Sequence, residues 1–541
     1  MKRLISLIVL CAALAAGQSF SDRVEAIMNR PEYGHSRFGI EVLSLETGKS
    51  LYVLNGQQLF VPGSTTKLIT EGIALALLGP DYRFHTRVYR TGAIDANGVL
   101  IGDLVILASG DPNLSNRIQA DGTLAFQNVD HSYSALPGAK VVSGDPLTVL
   151  RALARQVAAA GIRKVSGQIR VDASLFPEGQ RELGTDVVMS PIVVNDNLID
   201  VTFVPGAEGE PASVEVSPKQ TRLTVVNNVR TATKGSQIQI EVSVVEAGPS
   251  GTSSVSMTGS IPPGERVLRT VAVPTPSEFA AAAFAETLHQ AGVEIEVDRS
   301  SQSDVIAKYE PELQVAEHVS APFSEEVKVT LKVSQNLHAG ITPFLIGALV
   351  AGKHGDAAYQ AGFDRMREYL EKAGLDASGA SQSDGAGGDA FFTPDFMVRY
   401  LEHLSRQPIF PAFYSALPVL GKDGTLWDIQ SQSPAAGHVH AKTGTYATYN
   451  ALGKNLMVTG KGLAGYVERK DGGRLAIAVY ANQIAGDPAS IAHHVGEALG
   501  EIAAAAWDAP FAPLEPTTER RLSGRNREST ASAREKFEVE P

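Results

Sequence analysis

Ser64 and Lys67 stand three residues apart in VPGSTTKLIT, where an apolar strand gives way to a helix. Residues at that spacing share a helix face, so the Lys67 amine can fold back beside the Ser64 hydroxyl. A free serine is a poor nucleophile. A lysine can act as its base once burial, a helix N-terminus and a neighbouring cation disfavour the ammonium form. Alone, the pair reads equally as a serine N-cap followed by a solvated lysine. Two further groupings change that balance: Ser334-Gln335-Asn336 opens an apolar helix, and Lys442-Thr443-Gly444 lies on a strand. A second hydroxyl and an amide, Ser334 and Asn336, suit proton relay and the holding of a substrate backbone. Lys442 and Thr443 suit a carboxylate, and Gly444 lets the strand approach a ligand closely. The backbone N–H of Thr445 can join that of Ser64 to bind an oxyanion. The chemistry described is acyl transfer through a serine.

The elements that must position these groups are also readable. Residues 38–45 alternate, turn over 46–49 and resume at 51–54, which predicts a β-hairpin leading into a helix from about Ser64. That helix is apolar on all sides and stops at Gly79-Pro80, so it is expected to be buried. A lysine at its start is expensive to keep charged. Beyond Arg87 short strands alternate with Gly, Asp, Asn and Pro. Helix is predicted over 146–160, strands over 165–174 and 192–204, a turn-rich all-β stretch over about 205–271, and an amphipathic helix over 276–292. Helices return over 337–351, 357–373 and 393–404. A strand carrying Lys442, a hairpin around Asp471-Gly472-Gly473 and a closing helix over 489–506 follow.

Composition bounds the function. The chain has 541 residues, is 43% hydrophobic and is long enough for two to four domains. A net charge of −12 without a clustered basic footprint argues against nucleic acid as a partner. Residues 1–17 place two cations before an apolar run ending in small residues, the pattern of a secretory signal peptide. That run falls short of the roughly 20 residues of a membrane span, and no later segment supplies one. A periplasmic or extracellular location is therefore expected. Cys11, the single cysteine, lies inside the run, so the mature chain has no disulfide or thiol chemistry. His438, His440, His493 and His494 lack partners at zinc spacing, and neither a metal nor another cofactor is expected. Residues 511–541 read as a disordered tail.

Ser-x-x-Lys, Ser-x-Asn and Lys-Thr-Gly, in that order, are the signature of serine enzymes that recognise penicillin. LGPDYRFHT, GDLVILASGDPNL, SGQIRVDASLF, RTVAVPTPSEF, SQNLHAG, LPVLGKDGTLWD and HAKTGTY extend the match. From about Phe38 to Ala506 the chain resembles the D-alanyl-D-alanine carboxypeptidase/endopeptidase family of low-molecular-mass, class C penicillin-binding proteins, peptidase family S13. The 269 residues between Ser64 and Ser334 resemble this family's insertion.

The resemblance implies an α+β fold in which a five-stranded antiparallel sheet packs against a helical lobe. The catalytic domain would comprise residues 18–90 and 305–510, split by an insertion over 91–304 with a nested β-rich module at about 205–271. Ser64 would be the acylated nucleophile and Lys67 its base. Ser334 and Asn336 would assist proton transfer and positioning, and Lys442, Thr443 and Gly444 would hold a terminal carboxylate. Asp186 is the candidate for recognising the amino group of the stem peptide. Where the family reads DGSGLSR, residues 384–390 read DGAGGDA, without the hydroxyl and the arginine. The implied activity is cleavage of peptidoglycan stem peptides or cross-links, with β-lactams as covalent inhibitors. A β-lactamase shares all three motifs, and a catalytically silent peptidoglycan-binding scaffold would use the same groove. The intact serine, both lysines and Asn336 weigh against the scaffold.

Overall fold

The computed structural model describes residues 18–219, 223–245, 253–296 and 309–512. The expected signal peptide, and the expected tail from residue 513 onward, lie outside the described residues.

The two ends of the chain meet in one antiparallel sheet. The N-terminal part supplies helix α1 (Phe20–Met28) and strands β1 (Arg37–Ser44) and β2 (Ser50–Leu54). The C-terminal part supplies β3 (Val439–Asn450), β4 (Asn455–Glu468) and β5 (Arg474–Asn482). The sheet order is β3-β4-β5-β1-β2, five strands as the resemblance implied, with a short sixth strand at Ile484–Gly486 also paired to β4. Its central strands are buried on both faces, and the period of two sorts their side chains. Ile477 and Val479 pack with Phe20, Val24, Val495 and Leu499 under α1 and the closing helix α7 (Ile491–Asp508). Ala476, Ala478 and Tyr480 face the opposite core, with Leu68, Ile73, Tyr400 and Tyr466.

That second core belongs to the helical lobe, made of α2 (Lys67–Leu78), α3 (Phe323–Val333), α4 (Asn336–Leu345), α5 (Ala357–Lys372) and α6 (Pro394–Ser405). Residues 67–75 of α2 are all buried, which follows from its all-round apolar sequence. No helix among the described residues is long and apolar enough to cross a membrane.

The insertion carries its own core, in which helices Thr148–Ala159 and Pro276–Gln290 pack on short sheets. One four-stranded sheet takes strands His85–Arg90 and Gln314–Val319 together with Leu104–Leu107 and Ile169–Asp172, so it crosses the boundaries expected at residues 90 and 305. Two three-stranded sheets cover the described residues of 198–272. The strand expected from residue 192 begins only at Leu198. Asn195, Asp196 and Asn197 all have positive φ, from 52° to 54°, a conformation that Asn and Asp tolerate. This buried left-handed turn aims the Asp196 carboxylate at α4.

Candidate active site

The nucleophile turn is built on two glycines. The helix expected from Ser64 opens as a 3₁₀ turn over Gly63–Thr66, in which positions three apart eclipse, before α2 begins at Lys67. Gly63 has φ 52°, and a Cβ there would lie 2.6 Å from the Thr445 nitrogen. A Cβ on Gly444 would lie 2.0 Å from the Pro62 carbonyl oxygen and 2.9 Å from the Ser64 nitrogen. Backbone thus meets backbone, and the Ser64 and Thr445 N–H groups adjoin where an oxyanion would sit.

Lys67 is fully buried. Its Nζ lies 2.7 Å from Ser64 Oγ, 2.6 Å from Asn336 Oδ1, 3.2 Å from the Ala386 carbonyl oxygen and 3.5 Å from Ser334 Oγ. Every one of these partners is uncharged. Burial lowers its pKa to about 8, against the more distant pull of Glu182, Asp384 and Glu71. At neutral pH roughly a tenth of the amine is therefore unprotonated and able to accept the Ser64 proton.

Ser334 ends α3 in a left-handed conformation, φ 63° and ψ 37°, and after the single residue Gln335 α4 starts at Asn336. Such a backbone is unfavourable for a residue with a Cβ and persists only where its surroundings hold it. Tyr133 of the insertion donates its hydroxyl to the Ser334 carbonyl at 2.6 Å, and the Gln335 side chain caps the Leu337 N–H at 2.9 Å. The sharp turn brings both Ser334 and Asn336 to Lys67. Lys442, also fully buried, donates to the Thr443 carbonyl at 2.7 Å. Burial, then Lys67 and Lys461, push its pKa well below the ordinary range. Thr443 Oγ1 lies 2.7 Å from Thr425 Oγ1.

Two loops close the site. Residues 384–390, where the chain departs from the family pattern, are folded around Asp384, which accepts the N–H groups of Ala386, Gly387 and Asp389. This coil turns the Ala386 carbonyl onto Lys67 and the Gly385 carbonyl onto the Thr70 hydroxyl. A backbone oxygen therefore contacts Lys67 at the position where the family has a serine. The second loop follows Arg181. Glu182 accepts from the N–H groups of Gly184 and Thr185, and a Cβ on Gly184 would lie 2.2 Å from Asn336 Nδ2. Asp186 is on this loop. Its carboxylate is 78% exposed and paired with Arg181 at 3.0 Å, and it touches none of the other predicted residues. Tyr133, Glu182, Gly184 and the Ala386 carbonyl act across long separations, so no local spacing in the sequence reveals them.

With this geometry in hand, comparison decides the family. The profile of the D-Ala-D-Ala carboxypeptidase 3 (S13) family matches residues 20–501. The chain belongs to this family. It is 28% identical over 494 residues to the D-alanyl-D-alanine carboxypeptidase of Actinomadura sp. (strain R39), covering 87% of this chain and 82% of that protein. It is 24% identical over 440 residues to D-alanyl-D-alanine carboxypeptidase DacB of Haemophilus influenzae, covering 77% and 82%. Its fold is similar to that of penicillin binding protein 4 from Haemophilus influenzae, with a TM-score of 0.67 at 20% identity over 90% of this chain and 98% of the other.

In this S13 chain a second charged cluster lies behind the site. His338, on the same helix as Asn336, bonds Asp196 Oδ1 at 2.8 Å and pairs with Glu326 at 2.9 Å. Asp196 Oδ2 accepts from Arg117 and His131, both at 2.7 Å, and His131 reaches Asp200 at 2.7 Å. Arg117 also holds Asp130, which the Gln335 amide approaches at 3.4 Å. Despite burial, Glu326 and Asp196 raise the pKa of His338 to about 10. Likewise Asp200 and Asp130 hold His131 well above its ordinary value. Both imidazoles are therefore cations, each bridging two carboxylates. Asp130, His131 and Asp196 lie close enough to hold a metal ion, but Arg117 already bridges the two carboxylates and His131 bonds the same Asp196 oxygen that Arg117 does.

Proposed function

We propose that the chain is an exported serine-type D-Ala-D-Ala carboxypeptidase/endopeptidase that acts on peptidoglycan through a Ser64 acyl-enzyme. One observation carries this reading: the buried Lys67 amine lies 2.7 Å from Ser64 Oγ among uncharged partners. Neutral Lys67 takes the Ser64 proton as Oγ attacks the penultimate D-Ala carbonyl. The developing oxyanion is held by the N–H groups of Ser64 and Thr445. Ser334, within reach of Lys67, passes the proton to the departing amine. D-Ala leaves, or the amine of a cross-link in the endopeptidase reaction. Water then attacks the ester, with Lys67 again accepting the proton. Asn336 positions the peptide backbone, Lys442 and Thr443 bind the terminal carboxylate, and the exposed Asp186 meets the amino group of the stem peptide. The N-terminal apolar run supports export to the periplasm or beyond.

β-Lactams imitate the substrate and leave Ser64 acylated. A β-lactamase would need a fast deacylating base, commonly a carboxylate. Glu182 and Asp384 are each committed to N–H groups of their own loops, which favours the peptidase. The test is the intact mass of the chain after brief exposure to benzylpenicillin, beside Ser64→Ala, with release of D-Ala from an N-acetylated tripeptide ending in D-Ala-D-Ala. A persistent one-to-one adduct absent from Ser64→Ala, together with D-Ala release, is expected. Unmodified protein with hydrolysed antibiotic would establish a β-lactamase, and intact antibiotic with no D-Ala release a silent scaffold.

A further inference from the structure

We propose that Lys461 is a positioning residue for the terminal carboxylate of the substrate, acting through the hydroxyl of Thr445. The inference rests on the reading of this site as one for peptides that end in a free carboxylate.

Lys461 lies on β4 directly opposite Thr445 on β3, and its Nζ donates to Thr445 Oγ1 at 2.8 Å. The residue is only 9% exposed. Helix α7 passes beside it at Gly496, where a Cβ would be in ordinary contact, 3.4 Å from Cε and 3.5 Å from Nζ. Among the described residues no carboxylate lies within salt-bridge distance of Lys461. Asp428 attracts it from further off, and Lys442 on the neighbouring strand feels its charge. An ammonium buried without a counter-ion is costly, so a fold that retains one has a use for an anion at that place.

The direction of the hydrogen bond supplies that use. An ammonium has donors only, so Thr445 Oγ1 must accept, and the hydroxyl proton of Thr445 is left to donate outward. Thr445 is exposed, one residue beyond Gly444, on the outermost strand of the sheet. Thr443 differs, because its hydroxyl already donates to Thr425 Oγ1, at 2.7 Å, and so has committed its proton. Lys461 thus fixes one obligate donor beside Lys442 on the edge where a carboxylate would lie. Charge-assisted bonds of this kind are the stronger class.

Full-length protein, the N-acetylated D-Ala-D-Ala tripeptide and benzylpenicillin provide the test. In Lys461→Met, KM for the peptide is expected to rise about tenfold, the loss of one charge-assisted bond, while kcat changes by less than about twofold. Lys461→Arg recovers most of the loss. Thr445→Val raises KM similarly, and adding Lys461→Met to it changes little, because the two act as one unit. An unchanged KM in Lys461→Met, or a full additional loss in the double variant, overturns the proposal. If Lys461→Met does not melt cooperatively, Lys461→Gln is held to the same outcomes. A wild-type chain that neither releases D-Ala nor takes up benzylpenicillin refutes the activity itself. An active wild type with an indifferent Lys461→Met refutes only this proposal.

Discussion

The two charged regions of this molecule follow opposite rules. In the cleft, Lys67, Lys442 and Lys461 are buried among uncharged groups, and burial drives their pKa values down. A few residues away, Arg117, His131 and His338 are buried to the same degree, but each meets carboxylates. There both histidines titrate well above their ordinary values. Burial alone does not decide what a buried charge does. Its partners do: the unpaired cations are available for proton transfer and anion binding, and the paired ones fasten the insertion to the helix that carries Asn336.

The largest test of the contrast is Lys67→Met, which keeps the volume and removes the base. Acylation by benzylpenicillin, followed by stopped flow, should fall about 10³-fold, within the span of general-base contributions. Global stability should change little. Asp196→Ala does the reverse: it strips His131, His338 and Arg117 of a shared partner and should cost about 3–5 kcal/mol in urea unfolding. A loss under about 1 kcal/mol would mean that the cluster is not the fastening described here.

The pH responses should also diverge. With Lys67 as the proposed base and its pKa near 8, acylation should rise roughly tenfold from pH 7 to its alkaline plateau. His338 is raised from 6.5 to about 10, so its contribution to stability is complete below pH 6.5 and is lost as pH climbs through 10. Thermal melts of wild type and His338→Gln should therefore converge toward alkaline pH while the acylation rate increases. The smallest effect is expected at Asp186. Its ion pair with Arg181 is exposed, so Asp186→Asn should shift stability by less than about 0.5 kcal/mol. Its KM for a stem peptide with a free side-chain amine should rise a few-fold, and that for the acetylated form should not.

What the sequence reveals of this site follows the range of the interactions. Ser64 and Lys67 are legible because a helical turn fixes their spacing, and Ser334 with Asn336 because they flank one residue. The hairpin of β1 and β2, the buried α2 and the closing helix are legible for the same local reason. Tyr133 under Ser334, Gly184 against Asn336 and the Ala386 carbonyl on Lys67 are contacts between distant segments, and no periodicity records them. Lys461 belongs to no motif, and its contact with Thr445 runs between two strands, so no local spacing marks it. The strand expected from residue 192 is shortened because Asn195-Asp196-Asn197 spends its backbone on the left-handed turn that serves the cluster. In the glycine-rich loop the missing serine is visible in the sequence, but the backbone oxygen that contacts Lys67 there is not.

The place of β1 in the sheet sets the order in which the protein can be completed. It pairs on one side with its neighbour β2 and on the other with β5, from Arg37 against Asn482 to Ser44 against Leu475. The nucleophile helix is therefore synthesised early yet must wait for nearly the whole chain before its supporting sheet can close. The insertion draws its core from residues between Val88 and Ala316, so its wait ends well before β5 is made. Closing so long a loop is slow because its entropy must be given up before the contacts form. Catalytic competence is accordingly a property of the finished polypeptide, and a chain cut short before β5 would hold Ser64 and Lys67 without the sheet that makes them a site.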